Sequence, residues 1–303
     1  MDPWDRFCGE CGAGVADQRR DRVEIDIGIG AGVSDRGRRH HRNEDALALR
    51  GLSLGAGHGP VQHSAVAVVC DGVSSAARPD EASKIAAEVV AEALVTALRA
   101  DDGPAAATRE AIYAAGRAVA ELAYSDGVNP SWAGHGAPAC TVVCAMVTGG
   151  AVTVGWVGDS RAYWIPRTRA DSAPPIKLTE DDSWLNQVLA AGTLTPAQAA
   201  ADRRVHAITA WLGADADLVE PHVVTIEPEG PGIVVVCTDG LWNYLDDVNQ
   251  LAGALPAGTL ETPLNTARRL VEIALHRGGR DNITVAVLGV RYPPPLARTT
   301  NLG

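Results

Sequence analysis

Apolar and polar residues follow one another along the chain in patterns that predict several β-strands. The run VEIDIGIG, residues 23–30, alternates apolar and polar positions, as a half-buried strand does. The run HSAVAVVC, residues 63–70, is more continuously apolar and ends at the turn-forming pair Asp71-Gly72. The segments GIVVVCTDG at 232–240 and NITVAVLGV at 282–290 have the same texture, and each predicts a buried strand.

A hairpin is predicted between residues 140 and 164, where two apolar runs are joined at Gly149-Gly150. Both glycines tolerate the positive φ angles that a tight hairpin turn requires. Hairpins of this kind join antiparallel strands, whereas parallel strands need long crossover connections. We therefore expect largely antiparallel sheets.

Helical spacing of apolar residues appears in three other segments. Residues 78–100 have a proline and two acids near their start, and an alanine-rich stretch predicts a second helix over about 104–124. Thr262-Pro263 opens a last helix, which Gly278-Gly279 closes. The mixed segment 178–213 predicts two short helices and a loop. The order of the elements indicates an α+β fold of largely antiparallel sheets with helices layered outside them.

Composition sets the size of the core and excludes some classes of protein. With 303 residues, 46% hydrophobic and only 4% aromatic, the chain has enough aliphatic residues for one large domain or two small ones. A net charge of -11 argues against binding to nucleic acid or to anionic membranes. No apolar run reaches about 18 residues and no signal-peptide pattern opens the sequence, so a cytoplasmic protein is expected.

The texture also divides the chain into a central domain and two tails. Residues 1–22 are polar and lack periodicity, residues 23–291 are continuous in character, and residues 292–303 form a proline-rich tail. We predict one domain over 23–291.

Six cysteines in a chain of this length do not indicate a disulfide framework. Four of them lie inside apolar runs and are interpreted as inert core thiols: Cys70, Cys140, Cys144 and Cys237. Cys8 and Cys11 instead form a Cys-x-x-Cys knuckle in the N-terminal tail, as in a zinc site, but they supply only two of four ligands. His40 and His41 are two further donors that the spacing does not support, and a truncated zinc ribbon is the alternative.

Acids occur repeatedly where a predicted strand meets a turn. Asp71, Asp159 and Asp239 follow apolar runs, Asp281 precedes one, and the stretch RRHHRNEDALAL places Glu44-Asp45 just before another. A single aspartate there is often only a turn former, but several at strand ends can converge on one cleft. Clustered carboxylates repel one another unless cations neutralise them, and oxygen-only ligands suit Mg²⁺ or Mn²⁺. The residue types therefore favour a metal-dependent phosphohydrolase.

The order of these motifs carries a specific resemblance. The segments RNEDA, VVCDG, ACT, VGDSRAYW, CTDGLW and RDNITV occur in this order, and the chain over about 23–291 resembles the protein phosphatase 2C family of metal-dependent serine/threonine phosphatases. The segment 178–213 is similar to the variable flap beside that family's active site. The resemblance implies a four-layer α-β-β-α sandwich with helix pairs outside two sheets and metals at one edge.

The same resemblance implies roles for individual residues. Asp71 would bridge two Mn²⁺ or Mg²⁺ ions, with the Gly72 carbonyl as a further ligand, while Asp239 and Asp281 would complete the first ion's shell. Glu44 would serve the second ion directly or through water, and Asp45 would orient water. A third, weaker ion would lie at Asp159 and Asp239, with Ser160 and Asn282 as supports.

The implied reaction is hydrolysis of phosphoserine and phosphothreonine in proteins. A water bridging the two metals would attack phosphorus in line, without a phosphoenzyme, and a metal-bound water or a nearby histidine would protonate the leaving oxygen. Aspartates 71, 239 and 281 and His40 are thus the candidate catalytic residues. The implied partners are phosphorylated proteins, plausibly the substrates of a bacterial serine/threonine kinase.

Two departures from the family pattern raise alternatives. The loop after Asp71-Gly72 reads DGVSSAARPD, with Ser74 and Ser75 where glycines are common. The usual phosphate-binding arginine falls at His40, and a neutral imidazole is a weaker clamp than guanidinium. Beside a phosphate dianion His40 could be protonated, which would make substrate binding pH-dependent. Alternatively, Arg39 or Arg42 holds the phosphate, or His40 has no role.

The departures also keep two other functions open. The first is a catalytically weak module that retains the fold and uses the cleft to bind a partner. The second is a phosphatase for a small phosphorylated metabolite.

Overall fold

The computed structural model describes residues 21–55, 62–124, 136–167, 174–216, 220–255 and 262–290. The Cys8–Cys11 knuckle and the proline-rich tail lie outside these ranges, so the predictions made for them, and the predicted domain boundaries, stay predictions. None of the helices in the described ranges is both long and apolar enough to cross a lipid bilayer.

Two antiparallel sheets form the centre of the fold, as the hairpin signals predict. The six-stranded sheet has the order β1-β2-β13-β12-β8-β9, made of Arg22–Asp26, Gly30–Asp35, Ile283–Val290, Gly232–Cys237, Arg161–Pro166 and Ile176–Lys177. The five-stranded sheet has the order β11-β7-β6-β4-β3, made of His222–Ile226, Ala151–Val157, Val142–Thr148, Gln62–Cys70 and Ala46–Leu54. A short ribbon pairs β5, Ala139–Cys140, with β10, Leu212–Gly213.

Helices cover the outer face of each sheet. Helices α1 and α2, Pro79–Ala100 and Pro104–Leu122, pack on the five-stranded sheet, while α5, α6 and α7, Asp239–Trp242, Val248–Ala254 and Pro263–His276, pack on the six-stranded one. The two remaining described helices, α3 at Trp184–Ala190 and α4 at Pro196–Ala200, lie in the predicted flap. The α+β sandwich and the two short flap helices are confirmed.

Alternation along the strands divides the apolar residues between three layers. In β4, Val66 and Val68 belong to the cluster under α1 and α2, while Ala67 and Val69 belong to the cluster between the sheets. In β12 the valines likewise alternate between the inter-sheet cluster and the cluster under α7. Because successive side chains point to opposite faces of a sheet, a continuously apolar strand is buried on both sides.

One strand prediction was wrong in its extent. The run 23–30 is not a single strand: β1 ends at Asp26 and β2 begins at Gly30. Between them the backbone turns, with Gly28 at φ 79° and its N–H donating to Asp26 Oδ1 at 2.9 Å. An alternating pattern continued across a tight turn, and a glycine with positive φ marks the break. The apolar pattern also did not predict β3, or β8 as a separate strand.

Candidate active site

The register of the strands brings the predicted acids to one edge of the sandwich. Ala46, the first residue of β3, pairs with Cys70, the last of β4, so Asp45 and Asp71 leave the sheet side by side. Cys237, the last residue of β12, pairs with both Arg161 in β8 and Val285 in β13. In antiparallel sheets the end of one strand meets the start of its neighbours. Asp159, Asp239 and Asp281 therefore emerge at that common edge.

Asp71 lies at the centre of this group of acids. Its pKa is raised well above the ordinary value, first because burial penalises the charged carboxylate and then because the charges of Asp45, Asp239, Asp159 and Asp281 repel it. Its backbone is fixed by Thr141, whose N–H donates to the Asp71 carbonyl at 2.8 Å. The local field thus favours a proton or a cation at Asp71.

Asp45 is buried, with 9% of the residue exposed, and is only partly satisfied. Its Oδ2 accepts hydrogen bonds from the hydroxyls of Thr284 at 2.7 Å and Thr238 at 3.0 Å. Its Oδ1 is buried and, within the described residues, has no hydrogen-bond partner. Burial raises the pKa of Asp45 to about 7 although both hydroxyls lower it. An unpartnered buried carboxylate oxygen is costly unless a ligand satisfies it.

Asp239 and Asp159 complete the crowded part of the site. Burial and then the charges of Asp281, Asp159 and Asp45 raise the pKa of Asp239 well above its usual range. Burial, and then the charge of Asp181, raises the pKa of Asp159 to about 6. The side chain of Asn243 donates to Asp239 Oδ2 at 3.2 Å. Four acids with raised pKa values therefore share one edge.

Glu44 differs because both of its carboxylate oxygens already have donors. Oε1 accepts from Arg42 Nε at 2.8 Å and Oε2 accepts from Ser74 Oγ at 2.8 Å. Its backbone N–H donates to Asn282 Oδ1 at 2.8 Å, and Asn282 Nδ2 in turn donates to the carbonyls of Arg36 and Arg42. Ser74, part of the loop that departs from the family pattern, therefore contacts a predicted metal-site acid.

Gly72 sits where no side chain fits. A Cβ at this position would lie 2.6 Å from the Pro79 carbonyl oxygen and 2.7 Å from that of Glu44, and the Gly72 N–H donates to the same Glu44 oxygen at 3.2 Å. Close backbone approach of this kind needs glycine. It holds the Asp71 loop, the Glu44 loop and the start of α1 together.

The three candidate phosphate-binding residues have different surroundings. His40 Nε2 lies 3.0 Å from Asp281 Oδ1. Arg42 pairs with Glu44 and, at 3.3 Å, with Asp80. Arg39 is exposed and makes no ion pair within the described ranges. The structure thus brings His40 to a predicted metal ligand and leaves the choice among the three a prediction.

The residues at this edge fit a divalent cation, although no group of three acids, cysteines or histidines in the described part of the chain is already arranged to hold one. The donors are carboxylate and carbonyl oxygens, which suit Mn²⁺ and Mg²⁺. The unpartnered Asp45 Oδ1 and the repulsion at Asp71 are both relieved by positive charge.

Comparison with known proteins decides the family. The sequence model described as protein phosphatase 2C matches residues 36–258, well over half of the chain. The chain belongs to the protein phosphatase 2C family.

Two of the curated relatives of the chain are bacterial phosphatases. The serine/threonine protein phosphatase PstP of Mycobacterium tuberculosis is 28% identical over 261 residues, which is 86% of this chain and 44% of PstP. The protein phosphatase PhpP of Streptococcus pneumoniae is 32% identical over 117 residues, which is 38% of this chain and 45% of PhpP. The chain thus spans less than half the length of these curated relatives.

Solved structures of the family share the fold. The phosphatase MsPP of Mycobacterium smegmatis, solved with cacodylate, is 25% identical and superposes with a TM-score of 0.60 over 87% of this chain and 99% of that one. The catalytic domain of PstP, solved with two manganese ions, is 23% identical with a TM-score of 0.59 over 89% of this chain and 99% of that one.

Several supporting residues of this family member were missed at the sequence level. Thr238 and Thr284, which hold Asp45, lie inside the motifs CTDG and NITV, so the motifs contained a signal that was not used. Ser160 was expected as a support, and its hydroxyl forms a hydrogen bond with that of Thr141, with the two oxygens 2.8 Å apart. Trp242 Nε1 donates to the Asp159 carbonyl at 3.0 Å, and the Arg161 guanidinium stacks on the Trp242 ring at 3.7 Å.

Hydrogen bonds at the two ends of the predicted flap connect this segment to the candidate site. Thr209 N–H donates to the Asp182 carbonyl at 2.8 Å, which closes the segment on itself. The Asp182 carboxylate accepts from the N–H of Gly158 at 2.9 Å, and its Oδ1 lies 2.9 Å from His222 Nε2. Because Gly158 precedes Asp159, Asp182 connects the predicted flap to the backbone next to a predicted metal ligand.

Proposed function

We propose that this chain hydrolyses phosphoserine and phosphothreonine in proteins, using two Mn²⁺ or Mg²⁺ ions and a third at a weaker site. The observation that carries the proposal is the crowding of Asp45, Asp159, Asp239 and Asp281 about Asp71, which raises its pKa well above the usual range. Such an arrangement is unfavourable unless a proton or a bound cation compensates the negative charge.

Each acid has a proposed place in the metal shell. Asp71 would bridge the ions, with the Gly72 carbonyl, Asp239 and Asp281 as further ligands. Glu44 would act on the second ion through water, because Arg42 and Ser74 already occupy its oxygens. The third ion would share Asp239 with Asp159. When bound, such ions lower the pKa of water and neutralise phosphoryl oxygens.

The chain's own residues would fix the water and the phosphate. Thr238 and Thr284 hold one oxygen of Asp45, which would leave the other to orient a water molecule by accepting a hydrogen bond from it. We propose direct in-line attack of water on phosphorus, without a phosphoenzyme. His40 would stand beside the leaving oxygen or the phosphate, since its Nε2 is 3.0 Å from Asp281.

The residue that binds the phosphate can be identified by substitution. If His40 binds phosphate, KM will rise as pH increases because the imidazole loses its charge. His40→Arg should flatten this dependence, since guanidinium stays charged. Arg39→Gln serves as the parallel variant: a larger rise in KM there than for His40→Gln would assign the phosphate to Arg39.

The proposed partners are phosphorylated proteins modified by a bacterial serine/threonine kinase, and the proposed compartment is the cytoplasm. The net charge of -11 is consistent with a protein that does not bind nucleic acid.

A phosphothreonine peptide tests the function. We expect phosphate release that requires added Mn²⁺ and disappears in Asp239→Asn. Tight peptide binding by calorimetry without phosphate release would instead favour the weak binding module, and preference for a small phosphorylated metabolite in a substrate panel would favour the third function. No turnover of any phosphopeptide or aryl phosphate by metal-saturated protein would contradict the proposal.

A further inference from the structure

Two loops that border the candidate active site place three arginines together. The Arg38 N–H donates to the Gly279 carbonyl at 2.8 Å, so the loop between β2 and β3 touches the loop between α7 and β13. The contact is close: a Cβ on Gly37 would lie 2.0 Å from the Asp281 carbonyl oxygen. Arg39 follows in the first loop and Arg280 in the second. We call Arg38, Arg39 and Arg280 the arginine patch.

The arginine patch carries charge that no acid in the described ranges neutralises through an ion pair. All three residues are exposed, and within the described ranges none of them forms an ion pair. Neighbouring arginines of the same loop behave differently, because Arg36 pairs with Asp21 at 3.0 Å and Arg42 pairs with Glu44 and Asp80. A local surplus of positive charge is unusual in a chain with a net charge of -11.

The arginine patch lies beside the position proposed for the substrate phosphate. Arg280 directly precedes Asp281, and Arg39 directly precedes His40, whose Nε2 is 3.0 Å from the Asp281 carboxylate. A peptide whose phosphorylated side chain enters the site must run its neighbouring residues over the surface next to Asp281. Side chains flanking the phosphoresidue would therefore meet the arginines.

We propose that the arginine patch makes the chain select phosphopeptides that carry aspartate or glutamate beside the phosphorylated residue. This proposal rests on the proposed phosphatase function and names its substrate class. Each exposed charge pair contributes a factor of roughly two to five in affinity, so two or three pairs give about tenfold. Unpaired surface charge also speeds encounter with oppositely charged partners, and salt screens both effects.

The test compares two phosphothreonine peptides that differ only in their flanking residues, glutamates in one and glutamines in the other. The readout is the ratio of their kcat/KM values, which cancels any change in the chemical step. At low salt we expect the wild type to prefer the acidic peptide about tenfold. At 1 M salt, where the Debye length is about 3 Å, the preference should nearly vanish.

The double variant Arg38→Glu/Arg280→Gln tests the assignment to these residues. It leaves Arg39, a candidate phosphate ligand, in place, and it only neutralises the position next to Asp281. We expect the ratio to fall to about one. Arg117→Glu, which reverses the charge of an exposed arginine on α2, is the control for a charge change outside the arginine patch and should keep the wild-type ratio.

A ratio near one in the wild type, or an equal fall in the double variant and in Arg117→Glu, would overturn the proposal. Failure of the phosphatase function itself gives a different result, which is no turnover of either peptide or of p-nitrophenyl phosphate. In that case fluorescence anisotropy of the two labelled peptides decides the question, and the proposal requires the same tenfold preference in affinity.

Discussion

Asp181 and Asp71 lie at the same edge of the sandwich, but the charges of their carboxylates are compensated in different ways. Asp181 has a side chain only 9% exposed and pairs with Arg161 at 2.6 Å, and Arg161 stacks on Trp242. Lys177 lies 3.3 Å from the same carboxylate. Asp71, by contrast, has other carboxylates as its main electrostatic neighbours, and they raise its pKa well above the usual value.

The difference separates an acid that stabilises the fold from one that we propose binds metal. Removing a charge from water is unfavourable, and a partly buried acid is stable only when a cation or hydrogen-bond donors compensate. At Asp181 the chain supplies the cation itself. At Asp71 it supplies further acids, so the compensating charge must come from a proton or from a bound ion.

The largest effect is expected from exchanging charge for amide at the two sites. Asp71→Asn should reduce phosphopeptide turnover by at least about a thousandfold, because it removes the proposed bridging ligand. Asp181→Asn should leave turnover within about tenfold of wild type, since Asp181 acts on the site through Arg161 and Trp242. Steady-state kinetics at saturating Mn²⁺ measures both. Similar losses of turnover in the two variants would show that Asp71 and Asp181 do not differ in role.

Stability should change in the reverse order. Asp181→Asn leaves Arg161 without its main partner and should lower the free energy of unfolding by about 3 kcal/mol. In metal-free protein Asp71→Asn should raise it by about 1–2 kcal/mol, because an amide carries no charge to repel its neighbours. Urea unfolding in the presence of a chelator tests both variants. Destabilisation by Asp71→Asn as large as that by Asp181→Asn would contradict the account.

The stability of the metal-free protein should also fall as pH rises. Folding raises the pKa of Asp45 to about 7 and that of Asp159 to about 6, so the folded protein keeps protons that the unfolded chain has released. The stabilisation from these groups is complete near pH 4 and is lost as pH increases through 6 and 7.

Between pH 5 and 8 without metal we expect the free energy of unfolding to fall by about 4 kcal/mol, measured by thermal unfolding at each pH. Mn²⁺ should restore more stability at pH 8 than at pH 5, because protons no longer compete with it. A free energy of unfolding that rises across this range in metal-free protein would show that folding does not raise the pKa values of Asp45 and Asp159.

The smallest effect concerns groups behind the site that must stay neutral. Burial raises the pKa of the Cys144 thiol to about 12 and that of Cys70 well above its usual range. In a Cys8→Ser/Cys11→Ser variant, which keeps the four described cysteines, we expect almost no reaction with a disulfide reagent at pH 8 until the protein unfolds. Rapid reaction of the native variant would show that this part of the core opens.

Much of the site could be predicted because its signals are local. Asp71 and Asp239 follow continuous apolar runs, and the Asp-Gly pair at the end of each run indicates a turn. In the same way, a glycine pair between two apolar runs predicted the hairpin at Gly149-Gly150, where both residues have positive φ.

Contacts between distant residues could not be predicted in the same way. The hydroxyls that hold Asp45 come from Thr238 and Thr284, and Arg161 meets Asp181 across the connection that follows β8. Nothing in the spacing indicates these pairs, because they depend on strand register and side-chain direction. The environment of His40 is a further example, since its Asp281 partner lies in another loop.

The most direct test of the central claim, that the acids around Asp71 are compensated by divalent cations, is a calorimetric titration of Mn²⁺ at pH 7 into chelator-treated protein. We predict saturable binding of at least two ions with release of protons in the wild type, and loss of that binding in Asp71→Asn but not in Asp181→Asn. Absence of binding in the wild type, or equal binding by Asp71→Asn, would contradict the account.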